Sequence, residues 1–146
     1  MAYTHTQYEV ALNGVGASYT SVASTGDKAG WLPGYMPHRV RACAFVITTQ
    51  CTVTQPVCNF TTRPTAGSNT GISAGDIAIL KLPIADVPGT APWVIFKDGI
   101  QAKIKPGQEV VFNVGTAGSA GAGAPTMLVE PEWETPANNA NMAATT

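Results

Sequence analysis

The chain has few charged residues, and this scarcity narrows the classes of partner that it can bind. Charged side chains make up 12% of the 146 residues, about half the usual share. The formal net charge is −1, so no basic surface favours nucleic acid or an anionic membrane. We therefore predict neither a nucleic-acid partner nor a membrane partner.

Helical periodicity and long apolar runs are also missing. No window repeats apolar residues at the spacing of a helix face, and fifteen glycines and eleven prolines interrupt the chain at short intervals, which favours strands and turns. No apolar run approaches the ~20 residues that span a bilayer. The first residues, Met-Ala-Tyr-Thr-His, lack the charged and apolar regions of a secretory signal, so we expect synthesis in a cytoplasm.

The residues that carry chemistry are sparse. The only histidines are His5 and His38, and no Gly-x-Ser-x-Gly elbow is present, so no nucleophile with an adjacent base is predicted. Together with His38, the cysteines Cys43, Cys51 and Cys58 do not show the paired spacings of a zinc site. The glycine-rich runs do not continue into a phosphate-binding motif. We predict no catalytic residue, no metal and no cofactor.

The three cysteines are an odd number, which argues against a disulfide framework. Cys51 and Cys58 flank a turn that contains Pro56, and a bond between them is the alternative to free thiols. Buried free thiols are the favoured prediction.

The stretch from residue 93 to residue 114 predicts consecutive strands joined by tight turns. Asp98-Gly99 between the apolar runs 93–96 and 100–104 is typical of a hairpin with a type I′ turn. Pro106-Gly107 then predicts a type II turn before a strand at 110–114.

The longest predicted strand covers residues 39–52. Cys43, Phe45 and Ile47 would form one face, and Val40, Ala42, Ala44 and Val46 the other. Because both faces are apolar, we expect a central strand covered on both sides, by a second layer or by a partner subunit. Shorter strands are predicted around this one, at residues 7–12, 17–23, 57–61, 76–82 and 126–130. Long loops are predicted at residues 24–38 and 63–75, and a mobile loop of small residues at 115–124.

This count of eight or nine short strands predicts an all-β fold, an antiparallel β-sandwich that resembles a jelly roll. Residues 1–134 form a single domain in this interpretation, with a short N-terminal arm at 1–6. Residues 135–146 show no core-forming pattern and are predicted to be an extended C-terminal tail.

Two sets of polar and aromatic residues are candidate binding groups. Glu130, Glu132 and Glu134 alternate along the chain; a solvated strand edge is favoured over a calcium site or a partner's basic residues. Among the tryptophans, Trp93 is expected to pack in the core. Trp31, like Trp133, is expected to be exposed, in a subunit interface or on a sugar-binding platform.

The C-terminal third carries a family resemblance. The segment Ile-Lys-Pro-Gly-Gln-Glu-Val-Val-Phe at 104–112, the Gly/Ala loop, and Ala-Pro-Thr-Met-Leu-Val-Glu-Pro-Glu-Trp-Glu-Thr-Pro-Ala-Asn-Asn at 124–139 resemble small virion proteins of tailed bacteriophages. These are capsid decoration, or cement, proteins, and the likeness covers residues 104–146. The resemblance implies a β-rich protein, often trimeric, that sits on the outside of the expanded shell and holds neighbouring capsomers together.

The leading hypothesis is therefore a structural capsid decoration protein on the outer surface of the virion, made in the host bacterial cytoplasm. Its partners would be the major capsid protein and further copies of itself, in a trimer. A carbohydrate-binding or host-adhesion domain is the alternative, and its mark would be coplanar exposed aromatics such as Trp31 and Tyr35. A tail-tube or other virion subunit is the third hypothesis, and an enzyme ranks last. The predicted partner contacts are Tyr3, His5, Trp31, Tyr35, Glu130, Glu132, Trp133, Asn138, Asn139 and Met142.

Overall fold

The computed structural model describes residues 7–12, 20–65, 75–84 and 93–132, and all regular structure in them is β. The prediction of an all-β chain is confirmed. The strands are β1 (Tyr8–Ala11), β2 (Thr20–Ser21), β3 (Gly26–Trp31), β4 (His38–Thr49), β5 (Val57–Pro64), β6 (Gly75–Lys81), β7 (Val94–Lys97), β8 (Ala102–Ile104), β9 (Gln108–Thr116) and β10 (Ala122–Pro131).

The strands form two antiparallel sheets with the connectivity of a jelly roll. Sheet A has the order β1-β10-β4-β7, with β2 also on β10 and β8 also on β4; sheet B has the order β3-β9-β5-β6. Since β1 and β2 share one edge, and β7 and β8 another, the strands occupy eight positions. Counted along the chain, the strand at the first position pairs with the one at the eighth, and the second pairs with the seventh. The third pairs with the sixth, and the fourth with the fifth. This arrangement confirms the predicted antiparallel sandwich.

The core lies between the sheets and is centred on three phenylalanines. Phe45 of sheet A stacks on Phe112 of sheet B, with ring centroids 5.3 Å apart and planes 12° from parallel. Phe60 meets Phe112 edge-on at 5.3 Å. All three side chains are fully buried, and burying each one contributes roughly 2–3 kcal/mol of transfer free energy.

A bulge in β4 changes the predicted assignment of its faces. The register with β10 shifts between Leu128 and Val129, so that Arg41 is an extra residue in β4. As a result Val40 faces the core together with Cys43 and is fully buried. The strict alternation that placed Val40 on the outer face is wrong at this point, although β4 is a central strand as predicted.

The predicted hairpin at Asp98-Gly99 is wrong. Strands β7 and β8 both pair with β4, at residues 43–46 and 38–40, rather than with each other. Between them the Ile100 N–H donates to the Arg41 carbonyl at 3.0 Å. Gly99 has φ +70°, whereas Asp98 lacks the positive φ that a type I′ turn requires. The segment is one interrupted edge strand, with Asp98-Gly99 bulging away from β4.

The second predicted turn is confirmed, but it joins the two sheets. Gly107 has φ +89°, and the Gln108 N–H donates to the Lys105 carbonyl at 3.0 Å, as a type II turn at Pro106-Gly107 requires. Because β8 belongs to sheet A and β9 to sheet B, this turn carries the chain across the sandwich.

Two predicted loops contain strands. Strand β3 lies inside the predicted loop 24–38 and pairs with β9. Both β9 and β10 extend into the predicted mobile loop 115–124, which shortens the connection to residues 117–121. Small or polar side chains hide these strands from sequence patterns, because the pairing comes from the neighbouring strand rather than from intrinsic preference. Most of the predicted loop 63–75 lies outside the described residues.

Gly123 is required by close packing within sheet A. A Cβ at this position would lie 2.2 Å from the Val46 carbonyl oxygen and 2.5 Å from Cε1 of Phe45. The residue that completes β10 beside β4 must therefore lack a side chain. In the predicted mobile loop 115–124, the small residue at position 123 is therefore required by packing.

The three cysteines are free and buried, as predicted. Burial raises the pKa of both Cys43 and Cys58 to about 12, and it also raises the pKa of Cys51. The alternative bond between Cys51 and Cys58 is not formed. The predicted arms at 1–6 and 135–146 lie outside the described residues.

We predict that Gly123→Ala lowers the free energy of unfolding by about 1–3 kcal/mol, because the added methyl group displaces the Phe45 ring or the β4 backbone. Gly75→Ala is the matched control, since a Cβ there meets nothing within 4 Å. Urea denaturation measures both variants. Equal stability of the two variants would contradict the packing requirement at Gly123.

We predict that a thiol reagent at neutral pH labels none of the three cysteines in the native protein and all three after denaturation without reductant. The physical reason is that raised pKa values and burial keep the thiols protonated and inaccessible. Mass spectrometry counts the labels. Fewer than three labels on the denatured chain would reveal a disulfide.

A candidate interaction surface on sheet A

The two ends of the described domain lie side by side at one end of sheet A. Tyr8 near the start of β1 pairs with Val129 near the end of β10, and Pro131 pairs with His38 at the start of β4. The chain therefore enters at Gln7 and leaves at Glu132 from the same end of this sheet.

The outer face at this end carries a cluster of paired charges, which we call the Arg/Glu cluster. Arg41 Nε donates to Glu130 Oε2 at 2.7 Å, and Arg39 donates from an Nη atom to Glu132 Oε1 at 2.8 Å. Lys103 Nζ lies 3.7 Å from Glu132 Oε2. The bulge at Arg41 explains this arrangement, since it leaves both arginines on the outer face beside the two glutamates.

The Arg/Glu cluster replaces the predicted solvated strand edge. Glu130 lies in the central strand β10 and Glu132 directly follows it, and both are ion-paired within the chain. The hydrogen bond from Arg39 is the main cause of a lowered pKa at Glu132. The cluster lines a shallow cavity of about 100 Å³. Glu134 lies outside the described residues.

Beneath the Arg/Glu cluster, on the inner side, three aromatic residues close the end of the sandwich. His38 Nδ1–H donates to the Met36 carbonyl at 2.9 Å, which leaves Nε2 of the neutral ring to accept from the Tyr8 hydroxyl at 2.6 Å. Trp31, from sheet B, packs edge-on against His38 with centroids 5.3 Å apart. Both ring nitrogens of His38 are engaged in structural contacts.

The two aromatic residues predicted to form a sugar platform, Trp31 and Tyr35, differ in their exposure. Trp31 is half-buried against His38, whereas Tyr35 is 73% exposed. The ring contact that the structure records for Trp31 among the described residues is the one with His38. Trp93, predicted to lie in the core, is 54% exposed instead.

The rest of the outer face of sheet A is mostly apolar, and we call it the sheet A face. Its side chains stand in three rows across the strands, fixed by the registers of β1, β4 and β7 with their neighbours. Most of them are small and only partly buried. Phe96 (64% exposed) and Val94 (47% exposed) project at the β7 edge. The rows are Glu9, Leu128 and Ala42; Ala11, Thr126, Ala44 and Phe96; and Ala124, Val46 and Val94, so that Glu9 at the β1 edge is the one charged residue among them.

The outer face of sheet B is different because it is crossed by polar contacts. Arg63 bridges Asp27 at 2.6 Å and Glu109 at 2.8 Å, and Asn113 donates to Asp27 at 2.7 Å. The bond from Asn113, followed by that from Arg63, lowers the pKa of Asp27. Such a face is suited to water, whereas the sheet A face offers little to water.

Several predicted contact residues cannot be placed relative to this surface. Tyr3, His5, Trp133, Asn138, Asn139 and Met142 lie outside the described residues. Sequence reasoning predicted that both faces of the strand at 39–52 are covered, but it did not identify the neighbouring strands that complete the sheet A face. The apolar pattern on both faces of β4 was the available signal, and it pointed to Ala42, Ala44 and Val46 in the middle of that face.

The described residues hold no group of three His, Cys, Asp or Glu side chains arranged to bind a metal ion. No helix in the described part of the chain has the length and apolar character that a membrane crossing requires. No family model matches the chain, and no curated protein or solved structure matches it significantly.

We predict that Glu132→Gln destabilises the protein at pH 7 and that the loss is smaller at pH 3. A folded-state pKa below the unfolded value of about 4.3 adds stability above that value and loses it as the pH falls through the folded pKa. The loss at pH 7 should be roughly 0.5–1 kcal/mol, because the pair is partly exposed.

Urea denaturation of both proteins at the two pH values measures this difference. Glu9→Gln, on the exposed face of β1, is the matched control and should change stability by less than about 0.5 kcal/mol at either pH. A loss for Glu132→Gln that is as large at pH 3 as at pH 7 would rule out the ion pair as its cause.

Proposed function

We propose that this chain is a structural virion protein, a capsid decoration protein that binds the major capsid protein on the outside of a bacteriophage head and stabilises the shell by bridging capsomers. The observation that carries the proposal is the sheet A face. An antiparallel sheet with one face in water normally presents polar residues there. Ala42, Ala44 and Val46 occupy that position here, which favours burial against another protein.

The jelly roll adds support at the level of analogy. This fold is common in viral capsid proteins and in lectins, so it agrees with the first two functions suggested by the sequence and does not choose between them. The partly buried position of Trp31 against His38 weakens the sugar-binding alternative, because only part of that ring is accessible to a ligand. A tail-tube subunit remains the third proposal.

The chain ends add a second element. Gln7 and Glu132, where the described residues begin and end, lie at the end of sheet A that carries the Arg/Glu cluster, and the predicted arms are residues 1–6 and 135–146. Neutral segments of this kind suit contacts with neighbouring subunits. On a repeating lattice, a modest contact from the face and further contacts from the arms hold a protein by avidity. We propose a trimer as the assembled form.

The experiment is co-sedimentation of the purified protein with mature shells that lack it, at low and at moderate salt. We expect the wild-type protein to sediment with the shells and Ala44→Arg to lose at least ten-fold in bound protein, because a guanidinium in the middle of the sheet A face prevents close contact. Asn59→Arg, which faces outward on the central strand β5 of sheet B, is the matched control and should bind like wild type.

Two results would contradict the proposal. Wild-type protein that stays in the supernatant at both salt concentrations would remove the capsid as partner. Equal binding of Ala44→Arg and wild type would remove the sheet A face as the contact.

A further inference from the structure

Strand β7 has a free edge whose backbone orientation can be assigned. The Trp93 carbonyl accepts from the Ile47 N–H at 2.7 Å, so the backbone groups of Trp93 face β4. In an antiparallel pair, backbone groups alternate in direction along a strand. Those of Ile95 therefore also face β4, and the N–H and C=O groups of Val94 and Phe96 point away from the sheet. Within the described residues, no further strand lies beside β7.

Between Val94 and Phe96 this edge lacks the features that usually prevent pairing between chains, and the bulge at Asp98-Gly99 lies beyond these residues. Natural proteins protect sheet edges with charges, prolines and bulges. The other edges carry such charges: Glu9 in β1, Asp27 and Lys28 in β3, and Asp76 and Lys81 in β6. In β7 the only charge is the terminal lysine.

The side chains at this edge are also large, apolar and accessible. Trp93, Val94 and Phe96 are all among the exposed large hydrophobic residues of the described chain. Exposed apolar strands with free backbone groups are sites at which another strand adds to a sheet.

We propose that β7 pairs with β7 of a second copy of this chain, antiparallel about a two-fold axis at Ile95, so that Val94 of each copy lies opposite Phe96 of the other. This inference is independent of the proposed capsid function. A two-fold contact does not close a trimer; it joins two free chains, or two chains from neighbouring trimers.

The free backbone groups select this register. Residues opposite each other in an antiparallel pair have side chains on the same face. Along the strands, pairs that exchange two backbone hydrogen bonds alternate with pairs that exchange none. Setting Val94 opposite Phe96 satisfies the outward groups of both residues in both copies with four hydrogen bonds. A pairing of Phe96 with Phe96, or of Val94 with Val94, shifts the strands by two residues and leaves β7 only partly matched.

The side chains are self-complementary in the same register. On the outer face, each Val94 meets the ring of a Phe96, an aromatic–β-branched pair of the kind that stabilises sheets. On the inner face, the two Ile95 side chains meet on the axis. The register places Lys97 of one copy opposite Trp93 of the other, where an ammonium and an indole ring attract each other. The lysine that ends β7 thus has a favourable position in the pair.

The pairing is expected to be weak in solution. Two short strands bury much less than the ~1,200 Å² of a stable protein interface, so the dissociation constant should be on the order of 10–100 μM. The two sheets become one, and their apolar outer faces become continuous across the axis.

The first test is sedimentation of the full chain from about 5 to 500 μM. Val94→Pro removes an outward N–H without removing a hydrogen bond to β4, so the fold is retained while self-association weakens at least ten-fold. Ile79→Pro, in the edge strand β6, is the matched control. The Leu82 N–H faces β5 and donates to the Pro56 carbonyl at 3.0 Å. Because backbone groups alternate in direction along a strand, the Ile79 N–H points away from the sheet, as the Val94 N–H does. This variant should self-associate like wild type.

The second test checks the register and does not depend on proline. Each of Val94→Lys and Phe96→Glu alone should weaken self-association at least ten-fold. The double variant should recover to within about three-fold of wild type, because the proposed register places each introduced ammonium opposite an introduced carboxylate. The two shifted registers set like charges opposite each other, so they predict no recovery.

A third measurement uses cross-linking. Ile95→Cys places two thiols opposite each other on the axis, within the distance of a disulfide, whereas two thiols from Phe96→Cys are offset by two residues and too far apart. The first variant should form a covalent dimer under mild oxidation several times faster than the second. The native thiols are buried and do not compete.

A wild-type chain that stays monomeric up to 500 μM overturns the inference, as does equal weakening by the two proline variants. Failure of the double charge variant to recover overturns the register. Because shell binding is measured separately with Ala44→Arg, the self-pairing can fail while the capsid proposal stands, and the reverse also holds.

Discussion

The structure depends on the stacking of Phe45 on Phe112, which joins the two sheets at their centre. Phe45 comes from β4 and Phe112 from β9, and each strand is central in its own sheet. The ring of Phe45 has room only because Gly123, in the adjacent strand β10, has no side chain. A region of the chain that looks featureless therefore makes room for the central ring of the core.

The bulge at Arg41 links the core to the surface. It turns Val40 inward, which extends the core towards the end of the sandwich, and it leaves Arg39 and Arg41 together on the outside. The arginines then hold Glu130 and Glu132 at the point where the chain leaves β10. One inserted residue thus separates a charged end of sheet A from the mostly apolar face beside it, and the proposed capsid contact uses that face.

Much of the fold could be predicted from local pattern. The Pro106-Gly107 turn, the central position of β4 and the free thiols were all readable, since each depends on turn chemistry, alternation or cysteine count. The predicted Asp98-Gly99 hairpin was wrong because both flanking strands pair with β4, which at 12 residues is long enough to pair with both. Strand β3 was missed because Gly26, Asp27 and Lys28 have little intrinsic preference for strands, and β9 supplies their hydrogen bonds.

By itself the sequence determined the class of structure: short strands, tight turns, and neutral segments at both ends. Only the tertiary structure decided which strands are neighbours, and therefore which face of sheet A is uncovered and which edge is free. The physical reason is that backbone hydrogen bonds are the same for any pair of strands. The choice among partners rests on contacts between side chains far apart in the chain, such as Phe45 with Phe112, that no local window contains.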